Sequence, residues 1–153
     1  MNQLDIDGVS LTPLKKINAK GGDVYHALKK SDYTYSGFGE AYFSSIDYKF
    51  IKAWKKHNKM TLNLIVPVGE IRFVIYDNRS QNKSEHRFAS IDLSLRNYYR
   101  LSVNPGLWIG FMGLDKNKSI LLNIADIEHD YNEAERVPID EFNHPDGTTV
   151  VGI

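Results

Sequence analysis

What most constrains this chain is a series of seven short β-rich runs separated by turn residues. The run 41–46 alternates and is aromatic, and 62–66 is apolar and β-branched. The run 70–76 alternates cleanly, with Ile71, Phe73 and Ile75 on one face and Arg72, Val74 and Tyr76 on the other. Further runs cover 88–93, 98–103, 107–111 and 120–125. Gly, Pro, Asn and Asp clusters break them: Pro67 and Gly69 form one tight connection, Asn104 to Gly106 another, and 77–84 is polar enough to be an exposed hairpin loop. Many short strands at this spacing predict an all-β sandwich or barrel, most simply a closed or jelly-roll barrel. Helical signal is weak: 24–30 has room for two turns and 132–136 for one, and neither sustains a 3.6-residue period. No composition shift or repeat divides the 153 residues, so 1–153 is expected to be one domain.

Charge and residue usage then exclude partners. Nineteen Lys and Arg balance nineteen Asp and Glu, so the net charge of zero lacks the basic footprint of a nucleic-acid binder. The absence of Cys rules out disulfides, thiolate metal sites and a cysteine nucleophile. No apolar run approaches the roughly 18 residues of a membrane span, which predicts no membrane partner. Asp5 and Asp7 stand where an export signal needs an apolar core, so a cytoplasmic location is expected.

The densest polar cluster is Lys52, Lys55, Lys56 and His57 around Trp54. If 51–57 is a strand, Lys55 and His57 point one way and Trp54 and Lys56 the other. Inside a barrel, Lys55 and His57 would bind an anion or act as base and acid. Outside it, the segment is a solvated basic loop with Trp54 capping the barrel edge. Arg72, on the polar face of its strand, is either exposed or looks into a polar cavity where its fork would grip phosphate. In the acid-rich segment 126–136, His129 with Asp126, Glu128 or Asp130 matches no metal-site spacing, so no metal is expected there. Tyr131 offers a phenol able to donate a proton to an enolate. His26, His86 and His144 sit among polar residues and are expected at the surface.

The order of these segments resembles the dTDP-4-dehydrorhamnose 3,5-epimerase family. The resemblance rests on Gly22-Asp23, on Gly39 to Ser44, on Ile51 to His57, on Thr61 to Arg79 with its closing Asp77-x-Arg79, on Leu101 to Phe111, and on 122–126 with 131–135. It spans roughly residues 22–142 and implies a cupin-like jelly-roll barrel. It also implies a metal-free enzyme without a cofactor, usually dimeric, acting on a nucleotide-diphosphate sugar next to its keto group.

The family's Arg-Gly-Leu-His strand reads here as Lys52-Ala53-Trp54-Lys55, which puts Lys55 at the position of the base and His57 two residues later. The family's tyrosine falls near Leu122 or Asn123, and its lysine near Asn63. The resemblance therefore implies His57 as proton-transfer base and Lys55 as auxiliary base or enolate-stabilising cation. It leaves Tyr131 as acid, Lys52, Asn63, Arg72 and Asn123 as substrate contacts, and Trp108 as a wall of the pocket. Related 3,4-ketoisomerases use the second histidine of a His-x-His pair, so keto migration is an alternative activity, and a non-catalytic nucleotide-sugar binder is another. A homodimer is expected to form through the edge of 41–46.

Overall fold

The computed structural model describes residues 4–80 and 86–143. Strands β1 (Val9–Pro13), β2 (Lys16–Ile17), β3 (Val24–Tyr25) and β4 (Glu40–Ile46) open the chain. The body is β5 (Ile51–His57), β6 (Leu62–Val68), β7 (Glu70–Asp77), β8 (Arg87–Ser94), β9 (Tyr99–Val103), β10 (Trp108–Gly113) and β11 (Ser119–Ala125). A short β12 (Ala134–Arg136) follows. All seven runs picked out from the sequence are strands, within a residue or two at their ends. The polar 81–85 stretch of the expected hairpin loop, and His144, lie outside the described residues.

Two antiparallel five-stranded sheets, ordered β1-β9-β6-β11-β4 and β12-β5-β10-β7-β8, face each other as in a jelly roll. The core between them takes Leu62, Leu64 and Val66 from β6, Leu101 and Val103 from β9, and Leu121 from β11. From the other sheet it takes Ile71, Phe73 and Ile75 of β7, which is the face the alternation assigned. Each such side chain removed from water contributes about 1.5–3 kcal/mol. Consecutive strands β6 and β7 lie in opposite sheets, and the chain crosses between them at Gly69. Its φ of +77° is left-handed, and a Cβ there would sit 2.8 Å from the Ser119 Cα, so glycine is required.

Both sheets are covered on their outer faces as well. Trp54, Val74, Tyr76, Trp108 and Met112 form an apolar layer outside the second sheet, closed over by Val137 and Phe142. Outside the first sheet, Ile65, Tyr98 and Ile124 pack under Leu14, Ala27 and Leu28. That second layer is tied down by Arg100 on β9, which is fully buried. Its guanidinium donates to the carbonyl of Ala27 (2.8 Å), to Asp32 (2.8 Å) and to the Thr34 hydroxyl (2.7 Å).

Here the structure departs from the sequence reading. Residues 24–30 are not helical: Val24–Tyr25 pairs with β2, and Arg100 takes the Ala27 carbonyl that a helix would need for its own ladder. In 132–136 the expected helical turn is a 3-10 turn at Tyr131–Glu133, capped by the Asp130 side chain on the Asn132 N–H. It gives way to β12, because Ala134 to Arg136 find a ladder partner in β5.

Candidate active site

The site is built on an irregularity in β5. Lys56 lies opposite Trp108 and Lys55 opposite Ile109, but the next paired residue on β5 is Lys52, opposite Phe111. Three steps on β5 therefore match two on β10, a bulge that resets the side-chain alternation. Lys52, Lys55 and His57 consequently share the inner side with Ile109 and Phe111. Trp54 and Lys56 face out, where Lys56 sits 4.8 Å from the Trp108 ring and 2.7 Å from the Glu135 carboxylate.

These inner residues line a cavity of about 440 Å³ between the sheets. Leu62, Leu64 and Leu121 make its apolar floor. On the wall opposite β5, β11 supplies Asn123 and the edge strand β4 supplies Tyr42 and Ser44. Asn123 stands opposite Tyr42 in the ladder and donates to the Ser44 hydroxyl at 3.1 Å. Arg136 of β12 closes the β5 side.

His57 is buried and contacts Glu133, itself only 4% exposed, through Nδ1 and the Glu133 Oε1. The other carboxylate oxygen accepts from the backbone N–H groups of Asn58 (3.2 Å), Lys59 (3.1 Å) and Met60 (3.3 Å). Burial alone would push the Glu133 carboxyl up, but the hydrogen bonds from His57 and from the Lys59 and Met60 amides outweigh it and hold it below the usual carboxylate range. Burial chiefly holds His57 below its ordinary value, with Lys55 and Arg136 acting the same way and Glu133 opposing them. The pair at neutral pH is thus a carboxylate and a neutral imidazole. With Nδ1–H donating to Glu133, the lone pair on Nε2 is left for the cavity.

Burial and then the charge of Arg136 hold the Lys55 ammonium below its ordinary value, against the attraction of Glu133 and Glu40. Burial and Glu40 push the Tyr42 phenol up, so it stays protonated. A neutral imidazole, a lysine whose ammonium is disfavoured and a protonated phenol thus face one space, groups suited to proton transfer at carbon.

Of the sequence-predicted residues, Lys52, Lys55, His57 and Asn123 meet in this cavity, and four others do not line it. Arg72 projects from the outer side of β7 and forms a two-pronged pair with Asp92 at 2.7 and 2.8 Å. Trp108 belongs to the outer apolar layer and donates its indole N–H to Asn78; Ile109 and Phe111 are the wall residues of β10. Asn63 is buried on the far side of β6, accepting from the Ser102 hydroxyl at 2.7 Å. Tyr131 is 73% exposed, its ring 5.5 Å from the Arg136 guanidinium. His86 is exposed and His26 half-buried. Among the described residues no group of three His, Cys, Asp or Glu is gathered for a metal, and no helix is long and apolar enough to cross a membrane.

The sequence reading missed Glu133, Arg136, Tyr42 and Ser44. The alternation of β4 would have found two of them, since Tyr42 and Ser44 share a face with the buried Ile46. Glu133 carries no mark that separates it from its acidic neighbours.

Comparison with known proteins fits this geometry. A dTDP-sugar isomerase from Desulfovibrio desulfuricans G20 superposes with a TM-score of 0.86 at 38% sequence identity, over 89% of this chain and 87% of that one. The chain belongs to the dTDP-4-dehydrorhamnose 3,5-epimerase-like family of dTDP-sugar isomerases and epimerases. More distant solved structures share its jelly roll. The dTDP-6-deoxy-D-glucose-3,5-epimerase of Legionella pneumophila Philadelphia 1, solved with dTDP-4-keto-L-rhamnose, matches with a TM-score of 0.78 at 16% identity, over 87% of this chain and 74% of that one. In sequence, the probable low-salt glycan biosynthesis epimerase Agl13 of Haloferax volcanii is 24% identical over 103 residues, 65% of this chain and 66% of that protein's length. No family model matches the chain.

Proposed function

We propose that the chain is an epimerase of a nucleoside-diphosphate 4-keto-6-deoxy sugar, in the biosynthesis of deoxysugars for surface polysaccharides. The observation that carries this reading is the neutral His57 held by the buried Glu133 inside the cavity. A carbon next to a ketone is acidified by the carbonyl, so a base of near-neutral pKa suffices to remove its proton. Nε2 of His57 takes that proton while Glu133 balances the charge growing on the ring. Tyr42 and Asn123 sit on the opposite wall, where a donor can return a proton to the other face of the enolate. Lys52, exposed beside the cavity, and Arg136 supply positive charge for the diphosphate.

A second reading is migration of the keto group between neighbouring carbons, which is also an isomerisation of a dTDP sugar, the activity named for the 38%-identical relative. It uses the same base but delivers the proton to the former carbonyl carbon, while the hydroxyl on the carbon that lost its proton gives up its own and becomes the new ketone. Incubation with nucleoside-diphosphate 4-keto-6-deoxy sugars in deuterated water tests both. Deuterium at the carbon next to the ketone with inversion supports epimerisation, and a displaced carbonyl by NMR supports migration. No exchange and no new product across several such sugars would leave a non-catalytic binder.

A cytoplasmic location and a homodimer complete the proposal. Edge strand β4 and the preceding segment present Phe43 (69% exposed) and Phe38 (63% exposed), the kind of apolar edge that pairs with a second copy. Light scattering that gives a monomer, unchanged by Phe43→Asp, would remove the dimer from this reading.

A further inference from the structure

We propose that Lys55 forms an imine with the ketone of the substrate, so that the proton is removed from an iminium adduct rather than from the free keto sugar. This rests on the keto-sugar reading above and concerns the same cavity.

The basic residues around the site are not alike. Lys56 is committed to Glu135 and to the outer face. Lys52 is exposed and donates to the Ser45 carbonyl at 3.2 Å. Arg136 cannot give up its proton. Lys55 is the half-buried lysine of the cavity, and among the described residues no carboxylate lies within ion-pair distance of it. It is paired with Arg136 across the β12 ladder, and the Arg136 charge is the largest single charge acting on it, opposed by Glu133 and Glu40. That setting disfavours the ammonium, and the neutral amine is the form of a lysine that attacks a carbonyl. Two residues along the same strand and on the same side stands His57, so amine and base reach the cavity from one wall about 7 Å apart along the chain.

The chemistry closes without an outside oxidant or reductant. The neutral Nζ adds to the carbonyl carbon to give a carbinolamine, whose hydroxyl takes one proton from solvent and leaves as water, giving the protonated imine. His57 Nε2 then takes the proton from the adjacent carbon, and that C–H electron pair becomes the C=C bond of an enamine. Reprotonation at carbon restores the iminium. Water adds, the ketone leaves, and the amine is restored with one proton returned to solvent. The positive nitrogen is the electron sink, which an enolate would otherwise need from a fixed cation.

The test is reductive trapping. The full chain is incubated with a nucleoside-diphosphate 4-keto-6-deoxy sugar and sodium cyanoborohydride, then examined by intact-mass and peptide mass spectrometry. The expected result is a protein heavier by the mass of the sugar nucleotide less one oxygen atom, with the increment on the peptide carrying Lys55. Deuterium exchange into the sugar is measured in parallel. Lys55→Arg keeps the charge but cannot form the imine, so it should lose exchange by roughly a hundredfold or more while still binding the nucleoside diphosphate. Exchange that proceeds in the unaltered protein with no adduct on Lys55, or that survives in Lys55→Arg within about threefold, overturns the imine and leaves Lys55 as an electrostatic partner. In that outcome the epimerase or isomerase reading stands. Neither exchange nor adduct with any keto sugar overturns both.

Discussion

Replacing Glu133 by glutamine keeps the side chain's size but removes the charge that answers His57 when the ring takes a proton. The structure sets the consequence. One carboxylate oxygen serves Nδ1 of His57, and the other serves three backbone N–H groups of 58–60. Glutamine has a single oxygen. If that oxygen faces the ring, its NH2 group meets the three backbone donors and leaves them unpaired. If it faces the backbone, the NH2 group donates to Nδ1 and drives the ring proton onto Nε2, which removes the lone pair that faces the cavity.

The first arrangement loses a charge-assisted hydrogen bond worth about 1.5–3 kcal/mol, or roughly 10–150-fold in turnover. The second is a tautomer error, whose cost in the serine-protease triad reaches about 10⁴. The assay is the rate of deuterium uptake beside the ketone, read by NMR and repeated across pH. Because Glu133 is what opposes the downward shift of His57, its loss should also move the acidic limb of kcat/KM to lower pH. A Glu133→Gln protein that folds, binds nucleoside diphosphate, exchanges within threefold of the parent and keeps its acidic limb in place would falsify the pairing as the source of the base.

Three further outcomes are expected. His57 and Glu133 both hold protons more weakly folded than unfolded, so the unfolded chain binds more protons and stability rises with pH. Thermal melts should therefore show stability lost on acidification, first below about pH 6.5 as the unfolded chain's histidine takes a proton that folded His57 holds poorly, and again below about pH 4.5 for Glu133, with His57→Asn flattening the upper part. Tyr42→Phe should leave deuterium uptake largely intact but slow inversion by at least about tenfold, since the donor on the far wall is gone; equal loss of both would place Tyr42 elsewhere in the reaction. Asp32→Ala leaves the fully buried Arg100 without its counter-charge and should cost about 3 kcal/mol in denaturant unfolding, whereas a cost under 0.5 kcal/mol would mean that the Ala27 and Thr34 bonds alone hold the arginine.

How far the site could be read in the sequence depended on whether one strand or two decided it. The faces of β7 follow from its own alternation, and Ile71, Phe73 and Ile75 are in the core as that pattern requires. Yet the same strand misled about Arg72. Its polar face is not a cavity face, because Val74 and Tyr76 beside it are covered by the segment carrying Val137 and Phe142, and Arg72 is satisfied by Asp92 on β8. Trp108 fails for the same reason: a sheet buried on both sides gives an aromatic residue two apolar places to go, and local pattern does not choose between them. Asn63 is equally undecidable, since its partner Ser102 is 39 residues away.

The proposed chemistry lies where local rules are broken by a neighbour. The offset of β5 against β10 brings Lys52 to the same side as Lys55 and His57, and strict alternation from Lys55 would have turned it away. Glu133 reaches His57 only because Ala134 to Arg136 pair with β5, a ladder of three residues between segments more than seventy apart. That ladder does two opposed things at once. It brings a carboxylate under His57, which keeps a proton-accepting ring in place, and it brings Arg136 opposite Lys55, which disfavours the ammonium there. A proton-accepting ring and a lysine whose ammonium is disfavoured need opposite electrostatic surroundings only two residues apart, and the crossing segment Glu133-Ala134-Glu135-Arg136 supplies both.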